Sequence, residues 1–551
     1  MNLPAPTETK SDGKWMALLA ALLGWMFDGL EIGLFPLVAR PSLRELIDAE
    51  TITAAATSAE AAQKLIDAEI GQWIGIATAA FLIGAASGGV LFGWLGDRIG
   101  RVRAMTLSVL TYAIFSGLCG VAISPSMIVV FRFLSALGMG GEWSLGVALV
   151  MEIWPDRSRG FLAGLIGAAA NVGFLLIALF GLVLGQQILQ LEGTMLSIGM
   201  PQRWVEFLIG SEGHKTGWRI LMLLGATPAL LTFFIRLFVP ESAKWEQEKG
   251  AGKTSHWASR DLLGVVIGAC AALTIIYLSM DKLEWAGESA ITVRILGIAL
   301  AVLITVIGYM YPVVQYLIRM KRQAPTMVTN WRTTIGHMLL GALLSGVALL
   351  GTWGSLQWAV PWADKLAEAE AKAQNLPAKE VDAMKANARS QTQIWSAIGA
   401  IIGTIVAAVA GQIFGRRITY FALCVISQIS ALVFFLGNDS VDTMFLVTVF
   451  IAGAATASFY GWLPLYLPEL FRTNVRATGQ GFSFNFGRIM AAIGALQTGN
   501  LMGLFAEGQT IAGFDFPGGY PFACSVMSLV YLVGMVVIWI APETYGKPLP
   551  E

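Results

Sequence analysis

The sequence predicts an all-α membrane protein of fourteen transmembrane helices. Three observations carry that prediction. Of the 551 residues, 56% are hydrophobic and only 13% are charged, too few charges to clothe a water-soluble surface. Apolar runs of about the 20 residues needed to cross lipid recur along the whole chain. Basic residues, finally, crowd into alternate turns between those runs.

The first run, 15–39, follows a polar tail carrying Lys10 and Lys14 and lacks a small-residue cleavage site, so it reads as a retained helix and not as a signal peptide. Runs at 71–94, 104–123, 127–152, 161–186 and 218–239 complete a first half, residues 1–239. Two more, at 262–280 and 291–318, lie within a cytoplasmic linker spanning 240–332. The second half, 333–551, holds runs at 333–360, 392–414, 418–437, 443–467, 478–503 and 520–541, which makes fourteen spans. The turns bearing Arg98, Arg101 and Arg103, Arg157 and Arg159, Arg319, Lys321 and Arg322, Arg416 and Arg417, and Arg472 and Arg476 all fall on one side. The positive-inside rule makes that side cytoplasmic, with both termini there, in the inner or plasma membrane of the cell. Three hydrophilic stretches then face outward. Residues 40–70 and 361–391 read as short amphipathic helices, the second broken by Pro377, and 187–217 is less regular. All three read as caps or spacers over the outer mouth.

Other functional classes are excluded. Lys+Arg and Asp+Glu balance at 36 each, so there is no basic footprint for nucleic acid. Cys119, Cys270, Cys424 and Cys524 each sit alone in an apolar run, without disulfide or metal-ligand spacing. No nucleophile–base pair or phosphate loop is present, so an enzyme is not expected, nor a cofactor or metal. The expected partners are the lipid bilayer, a small-molecule substrate and a proton, bound by a monomer.

The chain also repeats itself. Gly93-Trp-Leu95-Gly-Asp97-Arg98-Ile-Gly100-Arg101 after the second run is answered by Ala408-Val-Ala410-Gly-Gln412-Ile413-Phe-Gly415-Arg416 in the second half, with Gln412 and Ile413 in place of Asp97 and Arg98. Glu152 precedes Arg159 by the same interval as Glu469 precedes Arg476. Pro240-Glu241-Ser242 closes the first half and Pro542-Glu543-Thr544 the second.

These elements resemble the major facilitator superfamily, whose two six-helix halves are related by a pseudo-two-fold axis along the membrane normal. The resemblance implies transport by alternating access. An added helix pair between the halves is similar to the bacterial sialic acid–proton symporters. Asp28-Gly29-Leu-Glu31 is similar to the Asp-Gly-x-Asp of those carriers and of the aromatic acid–proton symporters, with Glu31 replacing the second aspartate. Gly140-Gly141-Glu142, followed by Glu152-x-x-Pro155, resembles the metabolite–proton symporters.

Ionisable residues inside a span cost at least ~2.5–3.5 kcal/mol each on insertion scales, so each needs a reason. Asp28 and Glu31 lie on one face of the first helix, where two carboxylates cannot both ionise cheaply, and are candidates for proton coupling. Arg132 matches an arginine that regulates the first-helix aspartate in the sugar-porter branch, and is the expected counter-charge of Asp28; the alternative is an arginine reaching the outer headgroups. Arg488 resembles an arginine of aromatic acid and organic anion carriers and is a candidate to bind a substrate carboxylate, or else to serve a gate. Glu142, Asn171, Trp353 and Gln357 are further candidates for lining the substrate site. By the same resemblance, Asp97, Arg98, Arg101, Glu152, Arg159 and Glu241 should meet Arg416, Glu469, Arg476 and Glu543 in a cytoplasmic gate of ion pairs. The expected function is proton-coupled uptake of a small organic acid or sugar acid. A sugar or polyol carrier, or a non-transporting sensor with this fold, stays open.

Overall fold

The computed structural model describes residues 11–550 apart from 56–57, 211–215, 229–230, 232–233, 236–237, 280–288, 324–330, 506–507 and 512–513. The first half comprises α1 (Ser11–Leu46), α2 (Ala49–Ala55), α3 (Ala59–Ile99), α4 (Arg101–Leu118), α5 (Pro125–Ile153), α6 (Arg159–Ser197), α7 (Gln202–Ile209) and α8 (Trp218–Leu224). Between the halves lie α9 (Ala243–Gly250), α10 (Leu262–Ser279) and α11 (Ala290–Gln323). The second half follows as α12 (Trp331–Gly354), α13 (Ala359–Ala373), α14 (Ala378–Phe414), α15 (Arg416–Leu436), α16 (Thr443–Ala457), α17 (Phe459–Tyr466), α18 (Arg476–Leu504), α19 (Tyr520–Ser528) and α20 (Val530–Val537).

Local chemistry sets the helix starts. Ser124 accepts the Met127 N–H at 3.3 Å, with Pro125 already at the first helical position of α5. Asp442 does the same for α16 through the Phe445 N–H at 2.9 Å. Gly100 and Gly415, at φ of +116° and +91°, break α3 from α4 and α14 from α15 at matching places in the two repeats, a backbone geometry that side chains resist. A Cβ on Gly100 would overlap the Glu241 carboxylate, so the glycine also makes room for a cap described below.

Among the described residues, twelve helices are long and apolar enough to cross a membrane, two fewer than the fourteen runs in the sequence. The two outside that count have different causes. In 218–239, α8 ends at Leu224 and several later residues lie outside the described set. The run 478–503 is one helix, α18, but it carries Gln480, Asn485 and Arg488, and these polar residues lower its hydropathy. The predicted turn near 282–289 falls almost wholly outside the described residues.

The hydrophilic stretches are more helical than expected. Residues 187–197 continue α6, and the chain breaks between α13 and α14, where Pro377 caps α14. Lys385 pairs with Glu368 at 3.0 Å and Arg389 with Asp364 at 3.4 Å, stapling α13 to α14. One short antiparallel ribbon, Gln509–Ile511 (β1) with Phe514–Phe516 (β2), stands outside the all-α reading.

The halves meet where α6 lies along α14 and α3 along α18. The added pair, α10 and α11, packs against α3 and α18 and so touches both halves. Tyr309 of α11 shares a hydrogen bond with Ser87 of α3 at 2.6 Å, and Asn474, just before α18, donates to Tyr316 at 3.1 Å.

Candidate functional site: a buried charge cluster between two helix halves

Two charged constellations lie inside the bundle. The deeper one begins on α1, which packs so closely on α6 that a Cβ on Gly29 would overlap the Ala170 carbonyl. That contact holds the neighbouring Asp28 and Glu31 inside, 5% and 2% exposed. Glu31 accepts from the Ser116 hydroxyl at 2.8 Å and faces the Arg132 guanidinium at 3.5 Å. Arg132 is itself buried and lies over the Phe35 and Phe81 rings, 3.7 and 4.5 Å from their centroids.

The expected pairing of Asp28 with Arg132 is therefore corrected: Arg132 partners Glu31. Asp28 instead shares a buried space with Glu142 of α5 and, within electrostatic reach, Arg488 of α18. Two residues separate the carboxylates on α1, which rotates them apart enough to meet arginines on different helices. The Arg132–Glu31 pair belongs to one half, whereas Asp28 and Arg488 come from opposite halves. Burial leaves the Arg488 Nη1 without a protein hydrogen-bond partner among the described residues.

Aromatic rings wall this space. Trp143, directly after Glu142, stacks on Phe484 of α18 with centroids 3.7 Å apart, and Trp25 of α1 packs 6.0 Å from Trp143. Tyr460 of α17 lies 6.4 Å from Phe484, within electrostatic reach of Arg488. These rings were missed in the sequence. With 18 tryptophans, only the adjacency of Trp143 to Glu142 could have singled one out. Of the other candidates, Asn171 spends its amide on the Gly167 carbonyl of its own helix at 3.0 Å. Trp353 is half-buried against the core, and Gln357, at the end of α12 in a short 3-10 turn, is exposed and away from the cluster.

The second constellation closes one end of the bundle. Arg101, fully buried, donates to Asp97 at 2.6 Å, to Glu152 at 3.3 Å, and across the interface to the Thr473 carbonyl at 2.7 Å. Arg476 of the second half reaches back to Glu152 at 2.9 Å. Asp97 accepts from the Ala477 and Thr478 N–H groups at 3.3 and 2.9 Å and from the Thr478 hydroxyl at 2.6 Å, so it caps the N-terminus of α18 from the opposite half. In the second repeat, Arg416 holds Glu469 at 2.6 Å and the Gly411 carbonyl at 3.0 Å, as Arg101 holds Glu152 and the Gly96 carbonyl. Ser242 on Glu152 matches Thr544 on Glu469.

Gln412 keeps the role that its alignment with Asp97 suggests. Its Oε1 accepts the Gly160 N–H at 3.0 Å at the start of α6, and its amide donates to the Arg157 carbonyl at 2.8 Å. Arg159 binds the Met151 carbonyl at 3.2 Å. Arg98 is the departure: it donates to Ser259 of the linker at 2.8 Å and leans on Trp94, outside the ion-pair cluster.

Glu241 and Glu543 cap α4 and α15. Glu241 accepts the Arg101 N–H at 2.9 Å, and Glu543 the Arg416 and Arg417 N–H groups at 3.1 Å each. Burial pushes the Glu241 carboxyl up from its usual range despite these donors. Glu543 is less buried; burial opposes its charge, but its backbone donors prevail and hold it below the usual range.

Two internally repeated helix halves thus meet on buried charge inside a bundle of apolar helices and are joined by ion pairs at one end. Residues 50–265 match the family model described as Sugar (and other) transporter. Similar proteins include a putative metabolite transport protein of Haemophilus influenzae, 23% identical over 85% of this chain and 86% of its own length. A probable 4-methylmuconolactone transporter of Cupriavidus pinatubonensis is 23% identical, covering 88% and 85%. A cis,cis-muconate transport protein of Acinetobacter baylyi is 24% identical, covering 82% and 83%. Among solved structures, the proton:xylose symporter XylE bound to 6-bromo-6-deoxy-D-glucose superposes with a TM-score of 0.60 at 17% identity, over 98% of each chain. The human organic anion transporter MFSD10 gives 0.55 at 14% identity, over 95% and 99%. Over nearly its whole length the chain therefore shares the fold of these solved structures.

Proposed function

We propose that this transporter carries a small organic acid, coupled to protons, by rocking its two halves about the buried cluster. The observation that carries this reading is Arg488 of one half within electrostatic reach of Asp28 of the other, with an Arg488 nitrogen that has no hydrogen-bond partner among the described residues. A guanidinium in a low-dielectric, aromatic-walled space binds a carboxylate strongly and suits a flat conjugated acid. Names of the relatives, which include muconate and muconolactone carriers, support that substrate class. Asp28 is the proton site: neutral when Arg488 moves away, ionised when it approaches. The sealed end, rich in arginine, faces the cytoplasm, and the chain works as a monomer. Residues 1–239 and 333–551 are the rocking bundles, and 240–332 adds two spans to make fourteen.

The test is uptake of cis,cis-muconate into proteoliposomes with and without an inward proton gradient. Gradient-driven accumulation, lost in Asp28→Asn while counterflow survives, is the expected result. Accumulation by Asp28→Asn at the wild-type level refutes the proton assignment. A second reading, a sugar carrier, is favoured by the matched family model; uptake of D-xylose without muconate uptake would establish it.

A further inference from the structure

Four buried carboxylate oxygens at the deep cluster have no hydrogen-bond donor among the described residues: Asp28 Oδ1, Glu31 Oε2 and both oxygens of Glu142. Glu142 is 1% exposed. Leaving such groups unsatisfied destabilises the fold, more so when they are charged. Glu142 reaches α1 because Gly24, one turn before Asp28, has no side chain; a Cβ there would overlap the Glu142 carboxylate. The Asp28 and Glu142 carboxyl groups lie within hydrogen-bonding reach of each other. Ionised carboxylates only accept, so these two satisfy one another only when a proton sits between them.

The surrounding groups are few. On α1, Glu31 is engaged by Ser116 and by Arg132 of α5. On α4, Tyr112 gives its hydroxyl proton to the Phe27 carbonyl at 3.1 Å. Asn171 of α6 bonds within its own helix, and Arg488 of α18 faces Asp28. We infer that Asp28 and Glu142 form a proton-sharing carboxyl pair, with Glu142 taking the proton as Arg488 approaches Asp28 from the other half. The proton enters the pair from one aqueous side and leaves to the other, with no other bond made or broken. Glu142 thus acts in coupling and not in substrate binding, where the sequence had placed it. This deepens, and rests on, the reading of Asp28 as the proton site.

Infrared difference spectra of the reconstituted protein, recorded between acidic and alkaline pH without substrate, test it. A protonated buried carboxyl shows a C=O stretch that disappears on deprotonation. The expected result is loss of that band in both Asp28→Asn and Glu142→Gln, and its persistence, shifted in frequency, in Glu142→Asp, which also guards against a folding defect in the glutamine variant. Loss in Asp28→Asn with a wild-type band in Glu142→Gln overturns the pair and leaves Asp28 as a lone proton site. Loss only in Glu142→Gln overturns the sharing as well. A band unchanged in both variants removes the proton site itself from this cluster, and with it the reading beneath.

Discussion

Asp97→Asn should open the sealed end of the bundle. Asp97 takes three donors from the opposite half, the Ala477 and Thr478 N–H groups and the Thr478 hydroxyl, besides Arg101 of its own. The amide keeps one acceptor oxygen, so at least one of the cross-half bonds is lost along with the charge. Hydrogen bonds to a charged group contribute about 1.5–3 kcal/mol each, and an anion at a helix N-terminus adds about 0.3–1 kcal/mol. Arg101 stays compensated by Glu152 at 3.3 Å and by two carbonyls, so the large penalty of an orphaned buried charge does not arise. The closed end should therefore lose about 2–4 kcal/mol relative to the open one, a shift of roughly 30- to 700-fold at 1.4 kcal/mol per decade. Ser144, buried on α5 where it faces α18, reports the opening. With Ser144→Cys in a background lacking the four native cysteines, the rate of maleimide labelling scales with the open fraction. Asp97→Asn should raise that rate at least tenfold. A rate within twofold of the parent would refute the claim that Asp97 holds the halves together.

Gln412→Ala removes two uncharged cross-half bonds, about 0.5–1.5 kcal/mol each, and should raise Ser144→Cys labelling less than Asp97→Asn does. Arg132→Met leaves Glu31 buried without its cation and should destabilise the fold by about 3–5 kcal/mol, read from thermal unfolding in detergent, while Glu31→Gln in the same chain recovers part of it. Glu543, held low in the folded state, stabilises above its unfolded value near 4.5, a contribution lost as pH falls through the lower folded value. Glu543→Gln should thus lower the unfolding temperature at pH 7, with a deficit that shrinks below about pH 4.5; a constant deficit excludes the linkage. Glu241 carries the opposite sign, so Glu241→Gln should cost least where the carboxylate is ionised, at the alkaline end. Cysteines at Ser289 and Lys321, at the two ends of α11, should react with an impermeant reagent from opposite sides; same-side labelling removes the two added spans.

Much of the closed end could be read in the sequence because its chemistry is local and duplicated. Gly100 and Gly415 break the helices at equivalent positions, and the caps Glu241 and Glu543 sit in the same Pro-Glu-Ser/Thr motif. Repetition made those residues visible without knowledge of any contact. Arg98 misled because it sits inside the motif yet turns to Ser259, a partner in the linker that has no counterpart in the other half. Gln412 stands where the first repeat has Asp97, and a neutral amide can accept an N–H at a helix start as a carboxylate does.

What the sequence by itself determined is the solvent and the symmetry. Hydropathy puts the helices in lipid, since an unsatisfied backbone there is too costly for any other spanning structure in a chain of such runs. The repeated glycine, glutamate and arginine positions then define two related halves. Which charges meet in the interior was decided only by tertiary structure. Asp28 and Glu31 are indistinguishable by spacing, and the fold separates them through the rotation of α1 against α5 and α18. The approach of Gly24 to Glu142, and the arrival of Arg488 from the opposite half, are long-range events that no local pattern encodes. The physical reason is that buried charges are placed by the packing of the helices that carry them, and packing depends on surfaces hundreds of residues apart.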